Sequence, residues 1–172
     1  QFYGGSVRDG RPIRFYDNIE IKVSRLGKDR NVFFDIEGIE QRFNNSLMNL
    51  REAEFVTKVL LHLDKDEVDF ARVGVITPYR AQRFKIQELL EESLLNPNQK
   101  KKHLHSQIEK LEINTIDGFQ GREKNFIIIS MVRSNHHGGI GFVSDPKRLN
   151  VALTRARFGL IVVGNAQTLS SN

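Results

Sequence analysis

Three short runs of this chain are apolar almost throughout: RVGVITP at 72–78, NFIIISMV at 125–132 and GLIVVGN at 159–165. A strand with one face in water alternates polar and apolar residues, whereas a strand covered on both faces has no reason to. Runs of this kind therefore predict the middle of a parallel sheet with helices on either side. The segments between them supply the cover. NLREAEFVTKVLLHLDK, 49–65, places Leu50, Phe55, Val59, Leu60 and Leu63 at helical spacing, with Asn49 as its cap. YRAQRFKIQELLEESL, 79–94, and PKRLNVALTRAR, 146–157, are predicted as two further helices. Shorter strand candidates are PIRFYDN at 12–18, NVFFDIEG at 31–38 and LEINTI at 111–116. NPNQKKKHLHSQ, 96–107, is expected to be a polar, basic connection. Strands alternating with helices define an α/β class, and residues 1–172 are expected to form one domain.

The rest of the composition narrows the classes of function. No window approaches ~18 uninterrupted apolar residues, so no membrane span is expected. The absence of cysteine excludes disulfides and thiolate metal sites. It suits a reducing compartment, and a cytoplasmic or nuclear protein without a secretory signal is expected. Because the chain starts at Gln1, it is expected to be a piece of a longer protein. Lys and Arg outnumber Asp and Glu by 26 to 21, a surplus that suits an anionic partner.

Three polar clusters sit at the ends of predicted strands. In ITPYRAQ, Thr77 and Pro78 close a strand, and Tyr79 and Arg80 open a helix. An aromatic beside a guanidinium offers a stacking face and a phosphate contact, although a tyrosine at a helix start is more often core packing. In NTIDGFQGREK, Gly118 and Gly121 allow positive φ or close backbone approach. Thr115 and the turn amides can donate to phosphates, and the carboxylate of Glu123 can accept from a ribose hydroxyl. A plain polar turn, with Glu123 paired to Arg122 or Lys124, is the alternative. In RLNVALTRAR, a continuous helix would put Leu149, Ala152, Leu153 and Ala156 on the sheet. Arg148 and Arg155 would then project from a common edge and Arg157 from another. A solvated face and a rigid phosphate-binding arginine both fit that pattern.

Taken in order, these clusters and the closing VVGN resemble motifs IV, V and VI of superfamily 1 helicases, most closely the Upf1-like group that includes the nonsense-mediated-decay and senataxin-like helicases. The similarity is dense over 72–165 and looser at FYGGSVRDG near the start. It implies the second RecA-like motor domain of an ATP-dependent helicase on single-stranded RNA or DNA, a monomer moving 5′ to 3′. By motif, it assigns Glu123, Gly121 and Arg155 to the nucleotide, with Arg155 as the finger to the γ-phosphate and Arg148 as its support. It assigns Thr77, Pro78, Tyr79, Arg80, Thr115, Gly118 and Arg133 to the nucleic acid. ATP and Mg²⁺ would be held mainly by a first motor domain, because no P-loop occurs here. In LGKDR, Asp29 stands where Ser or Thr is needed, and Lys22 where the first glycine is. Asp64 to Glu67 follows a helix rather than a strand, and His136 and His137 lack a nearby carboxylate, so neither is expected to bind metal. A stand-alone nucleic-acid-binding module and a helicase-like domain without turnover are the competing expectations.

Overall fold

The computed structural model describes residues 31–95, 101–137 and 139–170. The strand expected at 12–18, the LGKDR segment and FYGGSVRDG lie outside the described residues. The core is a five-stranded sheet in the order β1-β7-β6-β4-β5, parallel at every pairing. Its strands are β1 (Asn31–Asp35), β4 (Val73–Thr77), β5 (Glu112–Thr115), β6 (Lys124–Ser130) and β7 (Ala156–Gly164). All five residues of β4 are buried, as its unbroken apolar run requires.

One face of the sheet is covered by α1 (Leu50–Lys65) and α2 (Arg80–Ser93), through Phe55, Val59, Leu60, Ile86 and Leu90 against Val73, Val75, Ile128 and Ile161. Asn49 caps α1 as expected, its side chain accepting from the Glu52 amide at 3.3 Å. The opposite face is covered by α4 (Pro146–Leu153) and by Ile116 and Phe119, against Ile76, Ile127, Ile129 and Leu160.

Three elements differ from expectation. The basic stretch after residue 96 is not simply a connection: Lys101–Lys110 forms α3. Leu104 and Gln107 are buried, and Ile108 and Leu111 pack on the core, a helical stripe hidden among lysines and histidines. A small antiparallel hairpin, β2 (Glu40–Phe43) with β3 (Ser46–Asn49), turns at Asn44 in the left-handed region, φ 53°. Finally, α4 stops at Leu153 rather than running to Arg157. The Thr154 hydroxyl donates to the carbonyls of Asn150 and Val151 at 2.8 and 3.3 Å, and its amide to Asn150 at 3.0 Å. These bonds close the last turn, and Ala156 pairs with Lys124 as β7 begins. Chain 166–170 ends the described structure as α5.

The link from β5 to β6 positions the site. These strands lie on either side of β4, and only residues 116–123 connect them. Parallel connections of this type usually run to a dozen residues or more and contain a helix. This one crosses the face of β4 directly, and Gly74 makes room for it: a Cβ there would lie 2.6 Å from the Phe119 ring. Phe119 is fully buried in that seat.

Candidate functional site

A groove of about 1150 Å³ opens beyond the carboxyl ends of β4 and β5, where open parallel sheets place their ligands. Its floor and walls include Pro78, Tyr79, Arg80, Thr115, Gly118, Arg133 and Arg148. Seven residues singled out in the sequence are thus brought together. The hairpin adds Arg42, Asn45, Ser46 and Leu47, and the loop before α4 adds Gly141, Phe142 and Ser144. Four guanidiniums, of Arg42, Arg80, Arg133 and Arg148, face two carboxylates, of Asp117 and Asp145. That balance favours a polyanion.

Thr77 does not line the groove. It is fully buried beneath it, where its Oγ1 accepts from the Tyr79 amide at 3.5 Å. Nor is Tyr79 an open stacking face, being only 5% exposed. Its ring meets Phe142 edge-on, centroids 5.7 Å apart and planes at 70°, and its hydroxyl accepts from Arg133 Nη1 at 3.4 Å. The accessible aromatic is Phe142, 52% exposed, with the Arg148 guanidinium 5.1 Å from its ring centre. Sequence reasoning missed Phe142, although an aromatic next to glycines in GGIGF was a visible signal.

At the end of β5, Thr115 Oγ1 accepts from the Gly118 amide at 3.3 Å, closing a turn inside the groove. Gly118 is needed for close approach rather than for φ, because a Cβ there would collide with the Asn114 carboxamide. Gly121 has the opposite reason: nothing crowds it, but its φ is +78°.

Arg133 follows β6. Its Nε donates to Glu40 Oε2 at 2.8 Å, and the same oxygen accepts from the Ser134 amide at 2.9 Å and Asn135 Nδ2 at 3.0 Å. Burial works to raise the Glu40 pKa, but the bonds from Asn135, Arg133 and Ser134 outweigh it and hold the carboxyl below its usual range. Asn135 Nδ2 also reaches the Gly139 carbonyl at 2.9 Å, tying β2, Arg133 and the following loop together. Gly141, at φ +55°, lies against the Arg133 guanidinium and leaves no room for a side chain.

A second centre lies at the amino ends of β6 and β7. Glu123 and Arg157 form an ion pair at 3.0 Å, both about half exposed. Arg122 and Lys124, the partners expected in the alternative reading, pair with Glu112 instead. The Arg155 carbonyl accepts from the Lys124 amide at 3.1 Å, which places Arg155 beside Glu123 in the fold. Arg155 Nε donates to the Val151 carbonyl at 2.8 Å and one terminal nitrogen to Thr154 Oγ1 at 3.2 Å. The side chain is thus fixed at its root, with Nη1 lacking a protein partner among the described residues.

Arg148 does not belong to this centre. With α4 ended at Leu153, Arg148 and Arg155 share no helix edge. Arg148 sits near the start of α4 in the groove, 3.6 Å from Asp117 and 3.9 Å from Asp145. Among the described residues Arg148 contacts Asp117, Asp145 and Phe142, and Arg155 contacts Val151 and Thr154.

The main sheet is thus parallel throughout, with an arginine-lined groove at its carboxyl edge and a glutamate–arginine pair at the other end. The chain belongs to the AAA domain family, whose model matches residues 1–167, in the branch that holds the Upf1 and Sen1 helicases. It is 44% identical over 174 residues to the regulator of nonsense transcripts 1 homolog of Drosophila melanogaster, covering 98% of this chain and 14% of that protein. It is 42% identical over 127 residues to the ATP-dependent helicase upf1 of Schizosaccharomyces pombe, covering 74% and 13%. Against the helicase sen1 of the same organism, identity is 36% over 181 residues, covering 100% and 10%. The chain spans only about one seventh or less of the length of these relatives. Among the described residues no helix is long and apolar enough to cross a membrane.

Proposed function

We propose that this chain is the second motor domain of an ATP-driven helicase acting on single-stranded RNA or DNA. In this reading the groove holds the strand, and the Glu123–Arg155 end faces the nucleotide across a cleft with the first motor domain. One feature supports it above the others: segment 116–123 begins in the groove at Ile116 and ends at Glu123 beside Arg155. A module that merely bound nucleic acid would have no use for that connection.

Arg148 and Phe142 join Arg80, Thr115 and Arg133 as strand contacts, and Tyr79 supports Phe142 from below. ATP supplies free energy by loss of its γ-phosphate. Arg155 suits a role toward that phosphate, because its anchored Nε leaves the end of the planar fork free to donate. Glu123 suits a sugar hydroxyl once Arg157 yields. Among the described residues no three His, Asp or Glu converge on a metal position, and the sequence lacks a P-loop. The reading accordingly assigns Mg²⁺ and the phosphate cradle to the first motor domain.

Single-turnover ATP hydrolysis by the complete motor tests this. Arg155→Ala is expected to lower kcat by roughly 10³ or more, as for other arginine fingers, with a far smaller change in nucleotide affinity. Arg155→Lys is expected to recover only part. Arg157→Ala, which removes a half-exposed ion pair, is expected to cost less than about tenfold. Equal and mild losses at Arg155 and Arg157 would sink the finger assignment.

A further inference from the structure

Glu52 is the one carboxylate on the buried face of α1, fully enclosed, and neither proposed centre uses it. Its Oε2 accepts from Ser130 Oγ at 2.7 Å and from the Val132 amide at 2.9 Å, and its Oε1 from Asn49 Nδ2 at 3.2 Å. The network continues into ITPYRAQ. Gln82 Nε2 donates to Ser130 Oγ at 2.9 Å and to the Asn49 carbonyl at 3.1 Å, while its Oε1 accepts from the Asn49 amide at 2.8 Å. The chain of bonds ends on Glu52.

What the cluster encloses is unusual. Val132 has φ +71°, a region that β-branched residues avoid. The Arg133 amide donates to the Met131 carbonyl at 2.8 Å, so Val132 is the centre of a γ-turn of the rarer, strained hand. Such a conformation persists only where its surroundings over-determine it. Here Glu52 holds the Val132 amide and Asn49 Nδ2 the Val132 carbonyl, the latter at 3.3 Å. The turn changes the chain's direction at the end of β6 and delivers the next residue, Arg133, to the groove.

We propose that Glu52 is a positioning residue for nucleic-acid binding: its buried carboxylate clamps the Val132 γ-turn and thereby sets Arg133 in the groove. This rests on the groove reading above. Reach, rather than charge, is what the clamp requires. Glutamine can present the same oxygen to Ser130 and Val132; aspartate keeps the carboxyl group but withdraws it by one methylene.

The test is the affinity of the complete motor for fluorescein-labelled twelve-nucleotide oligouridylate and oligodeoxythymidylate, read by anisotropy across a salt series. Arg133→Ala is expected to weaken binding roughly tenfold and to lower the salt slope. Glu52→Asp is expected to weaken it by a similar factor, and Glu52→Gln by less than about threefold. Glu52→Asp combined with Arg133→Ala should bind no more weakly than Arg133→Ala alone, since both remove the same contact. Adding Val132→Gly to Glu52→Asp should restore affinity while lowering Tm, because glycine adopts the turn unaided but leaves a void in the core. A purely structural role would move affinity and Tm together. Should Glu52→Asp fail to fold, the same cycle runs with Ser130→Ala, which removes only the hydroxyl on the clamp. Additive losses, or a glutamine variant weaker than the aspartate one, overturn the clamp alone. Unchanged affinity in Arg133→Ala overturns the groove reading and the clamp with it.

Discussion

Replacing Glu52 by glutamine should change how stability depends on pH, and the sign follows from the burial of the group. Enclosure in the protein pushes the Glu52 carboxyl up from 4.5 to about 8, against the pull of the Val132 amide and the Ser130 hydroxyl. Between those values the native state keeps a proton that the unfolded chain has released. The stabilisation is therefore complete below about pH 4.5 and is lost as pH rises towards 8. At about 1.4 kcal/mol per pH unit, the loss reaches up to about 5 kcal/mol, a large part of a typical domain's stability. Glutamine does not titrate, and its amide facing Asn49 Nδ2 forfeits one hydrogen bond, about 1 kcal/mol. Wild type should thus be the more stable form near pH 5, the curves should cross between about pH 5 and 6, and the glutamine variant should lead by several kcal/mol at pH 8. Urea unfolding of residues 1–172 from pH 5 to 8.5 measures this, followed by far-UV circular dichroism because the chain has no tryptophan. Glu40, held below its usual range, stays ionised throughout. A difference that stays flat across the window would refute the reasoning and mean that the donors around Glu52 keep it charged.

Phe142→Ala is expected to weaken single-strand binding of the complete motor by about 1–3 kcal/mol, the scale of one lost base stack, with Tm nearly unchanged because the ring is half exposed; anisotropy and a thermal melt check both. Gly74→Ala is expected to destabilise the fold by about 1–3 kcal/mol, since the new methyl would overlap the Phe119 ring, and denaturant unfolding measures it.

Most of the sheet could be read from the chain because β4, β6 and β7 are buried on both faces, which leaves an apolar run no solvent-facing strand would show. The hairpin escaped notice because its strands have four residues each and β2 is largely exposed, so no face imposes a pattern. The end of α4 was misread for a different reason. VALTRAR suits a helix locally, and only the pairing of Ala156 with Lys124, distant in sequence, ends it. That error put Arg148 beside Arg155 when it belongs in the groove. ITPYRAQ alone leaves Tyr79 open between a stacking face and core packing, because nothing in it announces that Phe142 and Arg133, more than fifty residues away, will cover it. Glu52 did leave a trace: it lies on the helical stripe of Val56, Val59 and Leu63, where a carboxylate is out of place unless something inside meets it.

The short crossing from β5 to β6 also has a mechanical meaning. From the register of the strands, Thr115 and Lys124 are separated by roughly 22 Å, and nine peptide steps, a few of them coiled in a 3₁₀ turn, reach only about 27 Å. With so little spare contour, and with Phe119 seated over Gly74 near mid-span, the segment behaves as a taut cord over a fixed pulley. Only a pull beyond that spare length, roughly 5 Å, cannot be absorbed as slack at Glu123. It must either reappear at Gly118 or lift Phe119 from its seat, so the two ends of the domain have one stroke between them.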